Sequence, residues 1–140
     1  MDIQLATKES ELTEIAQVML QLRPQYSLES LIKQIKKQMN SGYQVAYLVE
    51  KDKIKCVAGF VIAEKFAWKK HLYVDDLVTD ESSRSSGGGR AMLAWLKSYA
   101  RDAGCSQLHL DSGVQKFAAH RFYLREGFII ASHHFSITNL

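Results

Sequence analysis

The stretch RSSGGGR at residues 84–90 decides the fold, because it joins a predicted β-strand to a predicted α-helix. The preceding stretch, HLYVDDLVT at residues 71–79, is rich in β-branched and aromatic residues, which is typical of a strand. From Arg90 onward, apolar residues recur at helical spacing until Gly104, a glycine suited to cap a helix C-terminus. A short strand is predicted at residues 107–110, so this region forms a strand–loop–helix–strand unit with a right-handed parallel crossover.

The same patterns predict the remaining elements on both sides of this unit. Upstream they indicate a short strand, two amphipathic helices and a hairpin of two strands, at residues 3–6, 12–22, 28–39, 45–50 and 54–63. Downstream they indicate a short helix at residues 118–125, ended by Gly127, and a final strand at residues 128–137. The order β-α-α-β-β-β-α-β-α-β predicts a mixed α/β fold: a single domain over residues 1–140, with a mixed central sheet of six to seven strands and helices on both faces.

The composition indicates one ordinary globular domain. The chain has 140 residues, of which 46% are hydrophobic and 24% are charged, enough for a single core. Its net charge of +3 is too small to indicate a nucleic-acid-binding surface. The N-terminus lacks the features of a signal peptide, and Cys56 and Cys105 form no C-x-x-C pair. We therefore expect a cytoplasmic protein with no metal site, no nucleic-acid partner and no membrane partner.

The glycine-rich loop indicates an anion site. Glycines allow backbone N–H groups to approach a ligand closely, and a helix N-terminus favours negative charge. Arg84 and Arg90 flank the three glycines, which suits a phosphate better than a solvent-exposed linker. The Walker A and dinucleotide patterns do not fit, because Gly89 is followed by Arg90-Ala91 and Met92 stands where a third glycine would be. A flexible Ser/Gly connector without a ligand is the alternative.

Two motifs connect this loop with the C-terminal part of the chain. Arg84, Gly87 and Gly89 form the pattern R-x-x-G-x-G, and residues 119–128 form the pattern A-x-x-F-Y-x-x-x-G-F. In this order and at this distance, they resemble the two signatures of the GNAT family of acyl-CoA-dependent N-acyltransferases, whose element order is also similar along almost the whole chain. The run AHRFYLREG at residues 119–127 additionally resembles aminoalkylphosphonate N-acetyltransferases.

The resemblance implies that acetyl-CoA is the co-substrate. A strand main chain would pair with its pantetheine arm, and loop N–H groups would hold its pyrophosphate. The matching positions are Leu77, Val78 and Thr79 in the strand, and Arg84, Ser85, Ser86, Gly87, Gly88, Gly89 and Arg90 in the loop. Lys116 stands where many members have an asparagine near the CoA arm, so we expect it to contact either a phosphate or an anionic acceptor.

The resemblance also implies the catalytic groups. Tyr123 matches a tyrosine that protonates the departing CoA thiolate, and a phenol with a pKa of about 10 can do so without being ionised at pH 7. The attacking ammonium must lose a proton, and Asp75 and Asp76 are the candidate bases. Adjacent strand residues point to opposite faces, so at most one of them addresses the active site. We favour Asp75, which matches a catalytic or water-linked glutamate of some members; a merely solvated carboxylate is the alternative.

The predicted function is transfer of an acetyl group from acetyl-CoA to a primary amine by direct attack in a ternary complex. The acceptor is expected to be a small-molecule amine or an aminophosphonate-like compound, and Trp68 and Phe66 either line its pocket or cap the sheet. A homodimer through the terminal strand is compatible with the sequence. Two alternatives belong to other classes: a non-catalytic CoA-binding regulatory module, and an interaction protein that uses the Ser/Gly loop as a connector.

Overall fold

One five-stranded β-sheet organises the first part of the chain in the computed structural model, which describes residues 1–140. Across the sheet the strands follow chain order: β1 (Asp2–Leu5), β2 (Gln44–Glu50), β3 (Lys53–Lys65), β4 (Lys69–Thr79) and β5 (Gln107–Leu110). Neighbouring strands from β1 to β4 are antiparallel. The chain divides into two units, residues 1–109 and residues 110–140.

Three α-helices belong to the first unit: α1 (Leu12–Met19), α2 (Leu28–Met39) and α3 (Gly88–Asp102). α2 begins with a capping box, in which Ser27 Oγ accepts a hydrogen bond from Ser30 N (3.1 Å) and Ser30 Oγ accepts one from Ser27 N (3.0 Å). α3 ends at the predicted Gly104, which has a φ of +83°. The next amide, Cys105 N, bonds to Ala100 O (2.8 Å), so the cap satisfies a carbonyl of the last turn.

The helices cover both faces of the sheet, as predicted. Val45 of β2 and Val57 of β3 belong to an apolar cluster with α1 and α2 on one face. On the opposite face the ring of Phe60 packs edge-on against Trp95 and Tyr99 of α3, at centroid distances of 6.4 and 5.5 Å. Because side chains alternate along a strand, the central strands carry apolar residues on both sides and hold the helical layers together.

A β-bulge lies in the middle of β4. Gly59 of β3 pairs with Asp76, whereas the next residue, Phe60, pairs with Val74, so Asp75 has no partner on β3. Directly opposed residues of an antiparallel pair share a face, so Val74 lies with Phe60 on the α3 face and Asp76 lies on the face of α1 and α2. The extra residue therefore changes which face the second half of β4 presents.

The second unit contains the helix α4 (Phe117–Arg125). It ends at the predicted Gly127, which has a φ of +96°. Gly127 N bonds to Leu124 O (3.2 Å) and Phe128 N bonds to Tyr123 O (3.0 Å), the two hydrogen bonds of a Schellman cap. This cap places the ring of Phe128 5.7 Å from the ring of Tyr123 and so explains the spacing of the second motif. None of the helices is long and apolar enough to cross a membrane.

The predicted final strand is wrong. Residues 128–140 contain no helix or strand, and the sheet has five strands rather than six to seven. A strand requires main-chain hydrogen bonds to a neighbour, and an apolar pattern in the sequence does not supply that neighbour. The apolar side chains of Ile129, Ile130, Phe135 and Ile137 are exposed.

We expect Leu96→Ala to destabilise the fold by about 2–5 kcal/mol, because Leu96 of α3 is fully buried and its truncation leaves a cavity in the core. Urea unfolding monitored by circular dichroism measures the change. Ser98→Ala on the exposed side of the same helix is the control, with an expected change within about 0.5 kcal/mol. Equal effects of the two substitutions would contradict the packing of α3 on the sheet.

Candidate active site

A cavity of about 290 Å³ lies between α2, the segment that joins α1 to α2, and the bulge of β4. Its lining combines apolar side chains of the helices with polar groups. The polar residues are Arg23, Gln34, Gln38, Tyr43, Asp75 and Asp76, together with Gln25 and Tyr26. A concave site into which several polar groups converge is typical of a small-ligand site.

Asp76 is held in the cavity wall by two partners. Arg23 donates to Asp76 Oδ1 from Nε (2.9 Å) and lies 2.8 Å from the same oxygen with Nη2. Tyr43 donates its hydroxyl to the other oxygen, Oδ2, at 2.7 Å. Both carboxylate oxygens are therefore engaged with the protein, and the Asp76 side chain is only 14% exposed. An anion paired in this way is poorly placed to accept a substrate proton.

Gly59 makes room for this network. A Cβ atom at Gly59 would lie 1.6 Å from Tyr43 Oη and 2.2 Å from Tyr43 Cζ, so no other residue permits the tyrosine to cross β3 here. Gly59 is also the residue that pairs with Asp76, which is where the tyrosine hydroxyl arrives. Burial and the negative charge of Asp76 raise the pKa of Tyr43, so it remains a neutral donor.

Asp75 is the bulge residue next to this pair. Its carbonyl oxygen accepts a hydrogen bond from Arg23 Nη2 at 3.2 Å. Its side chain reaches solvent, yet partial burial and the negative charge of Asp76 raise the pKa of its carboxyl group, against the opposing effect of Arg23. A carboxylate with a raised pKa is a better proton acceptor.

The two aspartates are not separated as simple strand alternation would require. Asp75 and Asp76 both line the same cavity, because the bulge interrupts the alternation between them. Our expectation that at most one of them could address such a site is therefore wrong. The two carboxylates differ in their hydrogen bonds, because Arg23 and Tyr43 both donate to the carboxylate of Asp76.

The glycine loop forms the N-terminus of α3. The helix begins at Gly88, two residues before the predicted start, and its N-cap is Gly87, with a φ of +87° and no capping side chain. The first intrahelical bond runs from Ala91 N to Gly87 O (3.0 Å), so the N–H groups of Gly88 and Gly89 precede it. Arg84 and Ser85 are exposed beside this turn. The arrangement gives a helix N-terminus open to an anion.

The loop lies against the C-terminal end of β4. Gly88 is buried there, and a Cβ atom on it would lie 3.6 Å from Cys56 Cβ and 3.8 Å from Thr79 Cγ2. β5 does not reach this end, because it has four residues and Ser106 N bonds to Lys70 O (2.9 Å) at the opposite end of β4. The main chain of Leu77 to Thr79 is thus not covered by β5.

Tyr123 and Lys116 lie in the second unit. Tyr123 is partly buried on α4, with its ring beside those of Phe122 (5.4 Å) and Phe128 (5.7 Å). Lys116 immediately precedes α4 and is exposed. The first unit holds the other predicted residues: Asp75 and Asp76 in the cavity, and the strand end and glycine loop beside α3.

The aromatic residues near the β3–β4 turn lie outside the cavity. Trp68 stacks on His109 with 3.5 Å between ring centroids, and Lys65 Nζ lies 3.6 Å from the Trp68 ring. Phe66 is fully exposed. The sequence predicts that Trp68 and Phe66 either line the acceptor pocket or cap the sheet. Neither residue lines this cavity, and Trp68 packs over the end of the sheet.

Sequence reasoning missed the residues that surround the two aspartates, among them Arg23, Tyr43 and Gly59. One signal was available, because a glycine inside a strand often marks a bulge or a close approach of another group. Arg23 and Tyr43 carried no such signal, since they lie 53 and 33 positions from Asp76 in the chain and meet it only in the folded structure.

The comparisons with known proteins agree with this geometry. The family described as the acetyltransferase (GNAT) family matches residues 10–128. The "uncharacterized N-acetyltransferase YhdJ" of Bacillus subtilis (strain 168) is 33% identical over 134 residues, 94% of each chain. An aminoalkylphosphonate N-acetyltransferase of Salmonella typhimurium is 38% identical over 55 residues, 39% of this chain and 36% of that protein. The structure of an aminoglycoside N-acetyltransferase in complex with CoA superposes with a TM-score of 0.87 at 12% identity, covering 99% of this chain and 93% of that one.

The family match over most of the chain and the relative of 33% identity define this protein as an N-acetyltransferase. The chain belongs to the acetyltransferase (GNAT) family. The enzyme class predicted from the sequence, an acetyl-CoA-dependent N-acetyltransferase, and the predicted co-substrate are confirmed.

We expect Asp75→Asn to be more stable than the wild type at pH 7 and to lose this advantage in acid. The raised pKa means that the fold favours the protonated carboxyl, so stability falls as the pH rises from the ordinary pKa of an aspartate through the folded-state value. Asparagine does not ionise and escapes this loss. Urea unfolding at several pH values between about 4 and 7.5 measures the difference.

The control for this pH series is Glu64→Gln, which removes one negative charge at an exposed position of β3. A stability difference between Asp75→Asn and the wild type that shrinks as the pH rises would contradict the direction of the pKa shift.

Proposed function

We propose that this protein transfers the acetyl group of acetyl-CoA to the primary amine of a small molecule by direct attack within a ternary complex. The observation that carries the proposal is the position of Asp75, a carboxylate with a raised pKa at the bulge of β4. The same strand continues to Thr79, which lies beside the open N-terminus of α3. Asp75, the proposed proton acceptor, is thus four positions along the strand from Thr79, which lies beside the proposed anion site.

Acetyl-CoA would lie along the end of β4 and over the glycine loop. The main chain of Leu77, Val78 and Thr79, beyond the reach of β5, would pair with the pantetheine arm as an added strand does. The N–H groups of residues 84–90 and the dipole of α3 would hold the pyrophosphate, with Arg84 and Arg90 supplying positive charge. Lys116 would contact a CoA phosphate.

The chemical step begins with transfer of a proton from the substrate ammonium to Asp75, directly or through a water molecule. The nitrogen lone pair then attacks the thioester carbonyl carbon, whose oxygen the backbone N–H of Leu77 would polarise. A C–N bond forms, the C–S bond breaks, and Tyr123 gives its proton to the departing thiolate. The second proton, which the nitrogen loses on becoming an amide, returns to the Tyr123 phenolate, and Asp75 releases its proton to solvent. In this scheme Asp76 would position Arg23, which in turn bonds to the Asp75 carbonyl oxygen.

The state of Cys56 supports direct attack rather than an acetyl-enzyme intermediate. Its side chain is fully buried, and burial raises the pKa of the thiol to about 11. A nucleophilic cysteine must be a thiolate, which requires a lowered pKa. Cys56 packs beneath Gly88 and Thr79 instead.

The remaining expectations concern the whole molecule. The family match over residues 10–128 includes parts of both units, which supports one acyltransferase domain over residues 1–140. Both cysteines are free, which supports a cytoplasmic location. The homodimer is a further proposal, and light scattering after size-exclusion chromatography tests it.

We expect saturating acetyl-CoA to raise the Tm of the wild type by several degrees, since ligand at about 100 times its Kd adds roughly 2.7 kcal/mol of stability. Gly87→Ala should abolish most of this shift, because Gly87 has a φ of +87° and its replacement distorts the start of α3. Thermal unfolding with and without acetyl-CoA is the measurement.

Gly42→Ala is the matched control. Gly42 has a φ of +102° and, like Gly87, no atom within 4 Å of a Cβ built on it, so both substitutions add similar backbone strain. The control should lower the Tm of the free protein by a similar amount and keep the acetyl-CoA shift. A full shift in Gly87→Ala would favour the interpretation of the loop as a connector without a ligand.

We expect Tyr123→Phe to lower kcat by about 10²–10⁴-fold with little change in acetyl-CoA affinity, because phenylalanine keeps the ring contact with Phe128 and loses the acidic proton. Tyr99→Phe is the control, since the Tyr99 hydroxyl bonds to Gln44 in the first unit. Thiol release during turnover gives both rates. Normal acetyl-CoA binding by the wild type without turnover of any amine would instead support the non-catalytic module.

A further inference from the structure

We propose that the acceptor is an amine whose remaining groups are uncharged hydroxyls or amides, and that the enzyme discriminates against amines carrying a phosphonate, phosphate or carboxylate. This inference rests on the proposed function and deepens it, because it names the substrate class of the cavity beside Asp75. The charges that line the cavity carry the argument.

Arg23 is the single cation in the cavity lining, and it is already paired. Its Nε and Nη2 lie 2.9 and 2.8 Å from Asp76 Oδ1, and Nη2 also donates to the Asp75 carbonyl oxygen. With Asp75 ionised, the lining carries two negative charges and one positive charge. An anionic acceptor therefore meets a wall of net negative charge and no unpaired cation.

Displacing Asp76 from Arg23 would not solve this problem for an anion. The Asp76 side chain is 14% exposed, and Tyr43 would be its remaining partner. A largely buried carboxylate that loses its cation is strongly destabilised, and the new contact would have to outweigh that loss. Like-charge repulsion of this kind gives specificity without any contact to the preferred substrate.

The other polar groups of the lining suit uncharged partners. Gln34 Nε2 donates to Gln38 Oε1 at 2.9 Å, and each amide retains further donor and acceptor capacity. Gln25 and Tyr26 also line the cavity. Neutral amides and a phenol match hydroxyl or amide groups of a ligand. A volume of about 290 Å³ is at the small end for ligand sites, enough for a group the size of one sugar ring.

The run at residues 119–127 that resembles aminoalkylphosphonate N-acetyltransferases does not oppose this inference. It contributes none of the cavity lining, which comes from residues 19–76. The resemblance of this run therefore gives no information on the groups that accompany the acceptor amine.

Matched pairs of amines test the proposal. Ethanolamine is compared with 2-aminoethylphosphonate, and glucosamine with glucosamine 6-phosphate, by thiol release at saturating acetyl-CoA. We expect the uncharged member of each pair to have at least a tenfold higher kcat/KM. Equal or better turnover of the anionic members would overturn the inference while leaving the acetyltransferase intact. No turnover of any amine, with acetyl-CoA bound, would overturn the proposed function and the inference with it.

A pair of variants tests the cause of the discrimination. Asp76→Asn removes the charge that neutralises Arg23, so the preference for the uncharged member should fall by about tenfold or more. Tyr43→Phe removes the other hydrogen bond of Asp76 and leaves the Arg23–Asp76 pair, so its preference should stay within about threefold of the wild type. The preference is a ratio within one variant and is independent of general loss of activity; an unchanged ratio in folded Asp76→Asn would overturn the role of Arg23.

Discussion

The carboxylate of Asp76 holds the site together. Arg23 reaches it from the end of the α1 region, and Tyr43 reaches it across β3 from the residue just before β2. These bonds connect segments 53 and 33 positions distant from Asp76 to one point in the middle of the sheet. The hydrogen bond from Tyr43 is possible only because Gly59, the ladder partner of Asp76, has no side chain. The missing Cβ atom gives the tyrosine room to cross β3, so that its hydroxyl and the guanidinium of Arg23 together fix the wall of the cavity.

The bulge gives that carboxylate its place. In a regular strand, Val74, Asp76 and Val78 would share a face, and Asp76 would point at α3 with Val74 and Phe60. The unpaired Asp75 reverses the alternation, so apolar Val74 stays beneath α3 while Asp76 faces the cavity. The same strand then ends at Thr79, against Gly88 and the start of α3. A single extra residue therefore allows one strand to serve the core, the polar cavity and the glycine loop.

Features set by a few consecutive residues could be predicted from the sequence. The Ser27–Ser30 cap and the glycine caps at Gly104 and Gly127 depend on local geometry that particular residue types favour. The position of the bulge could not be predicted, because HLYVDDLVT contains nothing that tells Asp75 from a regular strand position. The glycine in the neighbouring strand signals a bulge or a close approach without locating it. The partners of Asp76 could not be predicted either, because they are distant from it in the chain. The predicted strand at 128–137 was wrong for a related reason: strand pairing depends on neighbours that meet only in the folded structure, whereas periodicity shows only which side of a segment is apolar.

The two adjacent carboxylates differ because their partners differ. The negative charge of Asp76 opposes the ionisation of Asp75, and the cation and the tyrosine hydroxyl are both engaged with Asp76. Asp75 receives Arg23 only through its carbonyl oxygen, and the charge of Asp76 adds to partial burial in raising the pKa of its carboxyl group. In the proposed function, the Arg23–Asp76 pair leaves Asp75 as the proton acceptor and also occupies the one cation of the cavity. Loss of the Asp76 charge would lower the pKa of the Asp75 carboxyl group and leave Arg23 without its carboxylate partner. A change in this pair would therefore alter both the proposed base and the proposed discrimination against anionic acceptors.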